Sequence, residues 1–206
     1  YLARVNDKEY PKAKASEIAK KFGFDYWDGD RRICYGGYKY IEGRWTKVAN
    51  SIINHYDLKD GSKILDIGCG KGYLLYEFLK INPSFEIFGI DISEYAIKNS
   101  KSEVKSKLIK GCASELPYED DFFDLVISIN SLHCLPINKL TSALKEMERV
   151  GLNNKYLCVE SYRNEKEKAN LLYWQVTCEA FNTPDEWKWW FKKTGYNGEY
   201  SFIYFE

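Results

Sequence analysis

The run Lys63-Ile64-Leu65-Asp66-Ile67-Gly68-Cys69-Gly70-Lys71-Gly72 joins an apolar segment to a glycine turn, and Tyr73 to Leu79 continues with helical spacing. Ile64, Leu65 and Ile67 suit a parallel strand covered on both faces. The glycines fall at the joint, where they permit positive φ and let a ligand approach backbone N–H groups at a helix N-terminus. Such a strand–turn–helix unit is a cradle for a nucleotide-like ligand. The spacing argues against one cofactor class. A dinucleotide fingerprint needs G-x-G-x-x-G, with glycine where Tyr73 stands, whereas this chain has G-x-G-x-G with Asp66 two residues before Gly68.

The segments that follow repeat the pattern of strand and polar strand end. Phe85 to Asp91 reads as a second strand ending, nineteen residues after Gly72, in a carboxylate placed to accept hydrogen bonds from both hydroxyls of a ribose. Lys107 to Tyr118 reads as a short third strand and a loop, and Asp121 to Asn130 as a fourth strand. With an acid, G-x-G-x-G and these strand ends in order, the chain resembles the class I S-adenosylmethionine-dependent methyltransferases. The Trp187-x-x-x-Phe191-x-x-x-Gly195-Tyr196 pattern is similar to the last helix of the small-molecule members.

The resemblance implies an α/β fold: a single Rossmann-like doubly wound sheet of seven mostly parallel strands, the last antiparallel in a hairpin, with helices on both faces. It covers residues 45–206, the expected methyltransferase domain, and leaves residues 1–44 as an N-terminal helical and lid-like extension. It also implies S-adenosyl-L-methionine as cofactor, held by Asp66, Gly68, Cys69, Gly70, Asp91, Ile92, Ala113, Ser114 and Asn130. Asp66 is expected to order the glycine loop by accepting backbone N–H bonds, and Cys69 to be there for its small size.

Candidate catalytic residues lie beyond the strand ends. His133 follows the fourth strand, and histidine is the side chain whose ordinary pKa suits proton transfer near neutrality. Glu160, closing the predicted fifth strand Tyr156–Glu160, and Tyr162 are placed to orient a substrate. Cys34-Tyr35-Gly36-Gly37-Tyr38-Lys39-Tyr40 combines a Gly-Gly pair with tyrosines, a composition suited to a movable lid that stacks on ligands, so Tyr38 joins the catalytic candidates. His55, in a predicted surface helix, is read as inert. Helices are further expected over Pro11 to Phe22, Arg44 to Tyr56, Leu140 to Val150, Leu171 to Phe181 and from Pro184 to Gly195.

Bulk properties narrow the partners. The chain has 206 residues, 45% apolar, and 30 basic against 30 acidic residues, so one domain is expected and no net charge draws it to nucleic acid or an anionic membrane. Residues 130–133 also lack the prolines of the D/N-P-P-Y/F motif carried by amino-methyltransferases of nucleic acids. Six cysteines without a C-x-x-C pair read as reduced thiols in a cytoplasmic protein, and no metal site is expected. No apolar run reaches the roughly 20 residues of a membrane span, and Tyr1-Leu2-Ala3-Arg4 lacks a signal pattern. The absence of an initiator Met points to residues upstream of Tyr1.

The expected activity is in-line transfer of a methyl group from S-adenosylmethionine to a small or medium metabolite. A different transferase on the same fold, such as an aminopropyl transferase, and a non-catalytic cofactor-binding subunit are the alternatives. The acceptor and the oligomeric state are not readable from the sequence.

Overall fold

The computed structural model describes residues 6–206, so the opening stretch Tyr1-Leu2-Ala3-Arg4 read above lies outside the described residues. Six strands form one sheet: β1 (Lys63–Ile67), β2 (Glu86–Asp91), β3 (Leu108–Lys110), β4 (Phe123–Ile129), β5 (Gly151–Glu160) and β6 (Glu199–Ile203). Their order is β3-β2-β1-β4-β5-β6, and every neighbouring pair is parallel. The expected seven strands with an antiparallel last one are therefore corrected to six, all parallel. A hairpin needs a tight turn, whereas two helices, of 10 and 11 residues, separate β5 from β6 and return the chain in the same direction.

The chain reverses at β1, whose neighbours are β2 and β4, and at that switch point the carboxyl ends of the strands open a crevice. Alternation along β1 sends Leu65 and Ile67 to one face and Ile64 to the other. On the first face lie α6 (Ile137–Val150), with Leu140, Ala143, Leu144, Met147 and Val150 at helical spacing, and α8 (Pro184–Thr194), with Trp187 and Phe191. The second face is covered by α3 (Thr46–His55) and α4 (Tyr73–Ile81) through Ala49, Ile52, Leu74, Leu75 and Phe78.

Local signals fix several boundaries. α8 begins in a capping box between Thr183 and Glu186, has proline in its first turn, and ends at Gly195 in the left-handed conformation. The helix expected over Leu171–Phe181 instead runs earlier, as α7 (Glu165–Trp174). The Asn164 side chain accepts from the Glu167 N–H to cap it, and Arg163 pairs with Glu167 across that first turn. Residues 175–183 form neither helix nor strand. The N-terminal helix α1 is Lys12–Ala19, and the aromatic stretch after it contains one short turn of helix, α2 (Phe24–Trp27). A further short helix, α5 (Glu94–Lys98), follows β2.

Trp187 is fully buried and its Nε1 donates to the Glu160 carbonyl at 3.1 Å, so it ties α8 to the end of β5. Trp187→Ala is expected to cost about 3–5 kcal/mol of unfolding free energy, measured by urea denaturation.

Candidate active site

Gly68 and Gly70 show why the loop between β1 and α4 requires glycine. Both have positive φ; a Cβ on Gly68 would lie 1.9 Å from Ser131 Oγ, and one on Gly70 would lie 2.9 Å from the Trp27 ring. The loop is pinned from β2. Gly68 N–H and Cys69 N–H donate to the Ile90 carbonyl at 2.7 and 3.2 Å, and Gly70 N–H donates to Asp91 Oδ2 at 2.8 Å. Asp91 Oδ1 accepts from Ser93 N–H at 2.7 Å. The ordering role expected of Asp66 thus falls to Ile90 and Asp91.

These residues line one cavity of about 460 Å³, within the range of small-ligand sites. Asp66, Gly68, Cys69, Gly70, Asp91, Ile92, Ala113, Asn130 and Tyr38 are all on its wall. Ser114 is not; its hydroxyl lies 3.0 Å from Cys112 Sγ. Asn130 adopts the left-handed conformation as β4 ends, which asparagine tolerates better than most residues.

His133 and Glu160 lie behind the wall. Both are 1% exposed, with His133 Nε2 3.5 Å from Glu160 Oε2, and neither borders the cavity. Burial pushes the imidazole down to about 3 and the carboxyl up to about 7, so each is driven toward its uncharged form, with a Gln175 hydrogen bond opposing the shift at Glu160. The His133 carbonyl accepts from the N–H groups of Glu179 and Ala180. Tyr162 is likewise buried away from the cavity, and His55 is exposed and paired with Glu199.

The N-terminal segment lines one side of the cavity. Trp27 Nε1 donates to Ser93 Oγ at 2.8 Å, and the Trp27 ring stacks on Tyr35 with centroids 5.5 Å apart. Lys71, buried inside the glycine loop, donates to both Asp28 oxygens at 2.8 and 2.7 Å and to the Tyr38 carbonyl at 2.8 Å. Tyr95 OH donates to Asp28 as well, and Tyr38 stacks on Tyr73 at 5.3 Å. Burial works to raise the Asp28 pKa, but the hydrogen bonds from Lys71 and Tyr95 outweigh it and hold the carboxyl below its ordinary value. Sequence reasoning missed Phe22, Trp27, Arg44, Trp45, Cys134 and Lys139 on the wall. Only the aromatic richness before residue 45 signalled any of them.

Asp66 and Asp91 share the cavity floor. Burial and the Asp91 charge push Asp66 up to about 7, and burial raises Asp91 despite its two backbone hydrogen bonds. Among the described residues no cluster of His, Cys, Asp or Glu is arranged to hold a metal ion, the cysteines are free thiols, and no helix is long and apolar enough to cross a membrane.

A parallel sheet whose switch point carries a glycine cradle, an acid at the end of β2 and an aromatic-roofed cavity defines a class I methyltransferase domain. The chain belongs to the methyltransferase-domain family, which matches residues 58–195. It is 35% identical over 130 residues to the tRNA (carboxymethyluridine(34)-5-O)-methyltransferase of Arabidopsis thaliana, covering 63% of this chain and 30% of that protein. It is 36% identical over 111 residues to demethylmenaquinone methyltransferase of Staphylococcus aureus, covering 52% of this chain and 44% of that one. The crystal structure of YcgJ from Bacillus subtilis shares the fold at a TM-score of 0.59, with 20% identity over 72% of this chain and 67% of that chain. The chain thus spans less than half the length of these two curated relatives.

S-adenosylmethionine is the methyl donor of this class, and the residues present fit it. Gly68 and Gly70 border the cavity with bare backbone, two buried carboxylates suit a ligand bearing hydroxyls and an ammonium, and aromatic and apolar side chains wall the rest.

Two outcomes follow from the floor of the site. Gly68 and Gly61 have the same φ of 79°, but a Cβ on Gly61 would meet nothing within 4 Å. Gly61→Ala is expected to cost about 1–2 kcal/mol for backbone strain alone, and Gly68→Ala distinctly more, in denaturant titrations of both variants. Asp66, with a folded pKa above its unfolded value near 3.9, contributes stability that is full below about pH 4 and lost as pH rises through about 7. Asp66→Asn should therefore gain stability over the ligand-free wild type between pH 5 and pH 8, by at most about 4 kcal/mol. Parallel stability curves for the two proteins would show that Asp66 does not titrate there.

Proposed function

We propose that this chain transfers the methyl group of S-adenosylmethionine to a small or medium-sized metabolite. The observation that carries the reading is Asp91, a buried carboxylate that clamps the Gly68–Gly70 loop while bordering the cavity at the carboxyl edge of the sheet. A small acceptor is favoured by the strap over residues 22–40, which roofs the cavity with rings, and by the formal net charge of zero.

The bound cofactor would supply a methyl group on a sulfonium, a good leaving group, so the protein's task is placement and exclusion of water. Asp91 would accept from the ribose hydroxyls, with Ile92 and Ala113 against the base. Asp66 would face the ammonium, and a positive charge there would draw its pKa back down and release the proton it holds near neutrality. Tyr38 and Trp45 would exclude water on the strap side. A buried, uncharged His133 outside the cavity wall is poorly placed to take a proton from an acceptor, which favours an acceptor that reacts without one.

Calorimetric titration with S-adenosylhomocysteine, followed by radiolabelled methyl transfer onto a whole-metabolite extract, tests the reading. Wild type is expected to bind and to label a small molecule; absence of binding would overturn it, and binding without any transfer would favour a cofactor-binding subunit. Asp91→Ala should weaken S-adenosylhomocysteine binding by about 2–4 kcal/mol.

A further inference from the structure

The cavity is divided electrostatically. Its floor holds two buried acids, Asp66 and Asp91, the only carboxylates among the described residues on its wall. Its other charged wall residues are Arg44 and Lys139, both exposed, and neither head group is in an ion pair or hydrogen bond with a described residue. The other cation beside the glycine loop, Lys71, is by contrast fully engaged by Asp28 and the Tyr38 carbonyl.

Two helix starts add to the same sign of potential. Arg44 and Trp45 lead into the ten-residue α3, and Pro136 into the 14-residue α6 that carries Lys139, and neither helix has a side-chain cap on its first N–H groups. Unpaired N–H groups at a helix N-terminus favour negative charge. The wall of the same cavity carries the rings of Tyr35, Tyr38 and Trp45, which offer flat apolar surface.

Resting on the methyl-transfer reading above, we propose that the methyl acceptor is a small planar anion, its ring packed on these aromatic side chains and its carboxylate or phosphate held by Arg44 and Lys139. The acidic floor is complementary to the cationic methyl donor, and the basic rim to an acceptor of opposite sign. Arg44 can hold a carboxylate or phosphate through two N–H groups at once, and Lys139 adds a point charge. A neutral or cationic acceptor would gain nothing from either cation.

The test is calorimetry on the full chain saturated with S-adenosylhomocysteine, titrated with 2-naphthoate, 2-naphthyl phosphate, 2-naphthamide and 2-naphthylmethylamine. At least one anion is expected to bind about tenfold tighter than the amide, and the amine weakest. Whichever anion is tighter identifies the group. In the double variant Arg44→Gln, Lys139→Gln the preference for anion over amide should vanish while the S-adenosylhomocysteine Kd stays within about twofold. Equal binding of amide and anions, or no binding of either anion, overturns the proposal. So does a loss of S-adenosylhomocysteine affinity of about tenfold or more in the double variant, since these cations would then serve the cofactor's own carboxylate. Failure of the methyl-transfer reading itself would appear separately, as wild type that does not bind S-adenosylhomocysteine.

Discussion

The site depends on one side chain doing two things at once. Asp91 closes β2 by accepting from Ser93 N–H, and with its other oxygen it holds Gly70 N–H, so the end of one strand fixes the turn that leaves its neighbour. Removing that carboxylate would leave the Gly70 donor without its partner and a void beside the loop, and such an uncompensated buried polar group is costly. The close approach of Gly68 to Ser131 brings the end of β4 against the same loop. Three strand ends are therefore held in one arrangement by contacts that tolerate neither a longer side chain nor a missing acceptor.

The N-terminal strap is attached to that loop as firmly as the strands are. Lys71 lies inside the glycine motif, yet its ammonium points away from the cavity floor into a cage made by Asp28 and the Tyr38 carbonyl. The pair is largely shielded from water, with only 5% of the Lys71 side chain exposed, so it is weakly screened by salt and either partner alone would be poorly solvated. Rings complete the attachment: Trp27 sits over Gly70 and Tyr38 over Tyr73. A strap anchored in this way makes the glycine loop a mechanical part of the roof as well as of the floor.

What the sequence revealed and concealed follows from the range of the interactions. Ile64 to Gly72 was legible because a strand, a turn and a helix start are local, and Asp91 because a crossover fixes its distance from Gly72. The roof was legible only as composition. Nothing near Arg44 or Lys139 in sequence says that they border a common cavity, because folding brings them there from opposite sides of the sheet's switch point. His133 looked available because it follows a strand end, but a single turn of helix, Leu132–Cys134, tucks its ring inward beside Glu160. The direction of the sixth strand depended on the helices before it rather than on its own residues.

The strap also sets the order in which the protein can become functional. Ser16 donates to the Val176 carbonyl, a contact between residues 160 positions apart, and Ala19, Ile33 and Val176 share a small apolar cluster of their own. Contacts of such separation close large loops and form late in folding. During synthesis residues 16–33 emerge long before Val176, so the roof of the cavity cannot settle until that later segment has left the ribosome. Strands β1 to β5 can assemble through their local crossovers while the binding site is still open.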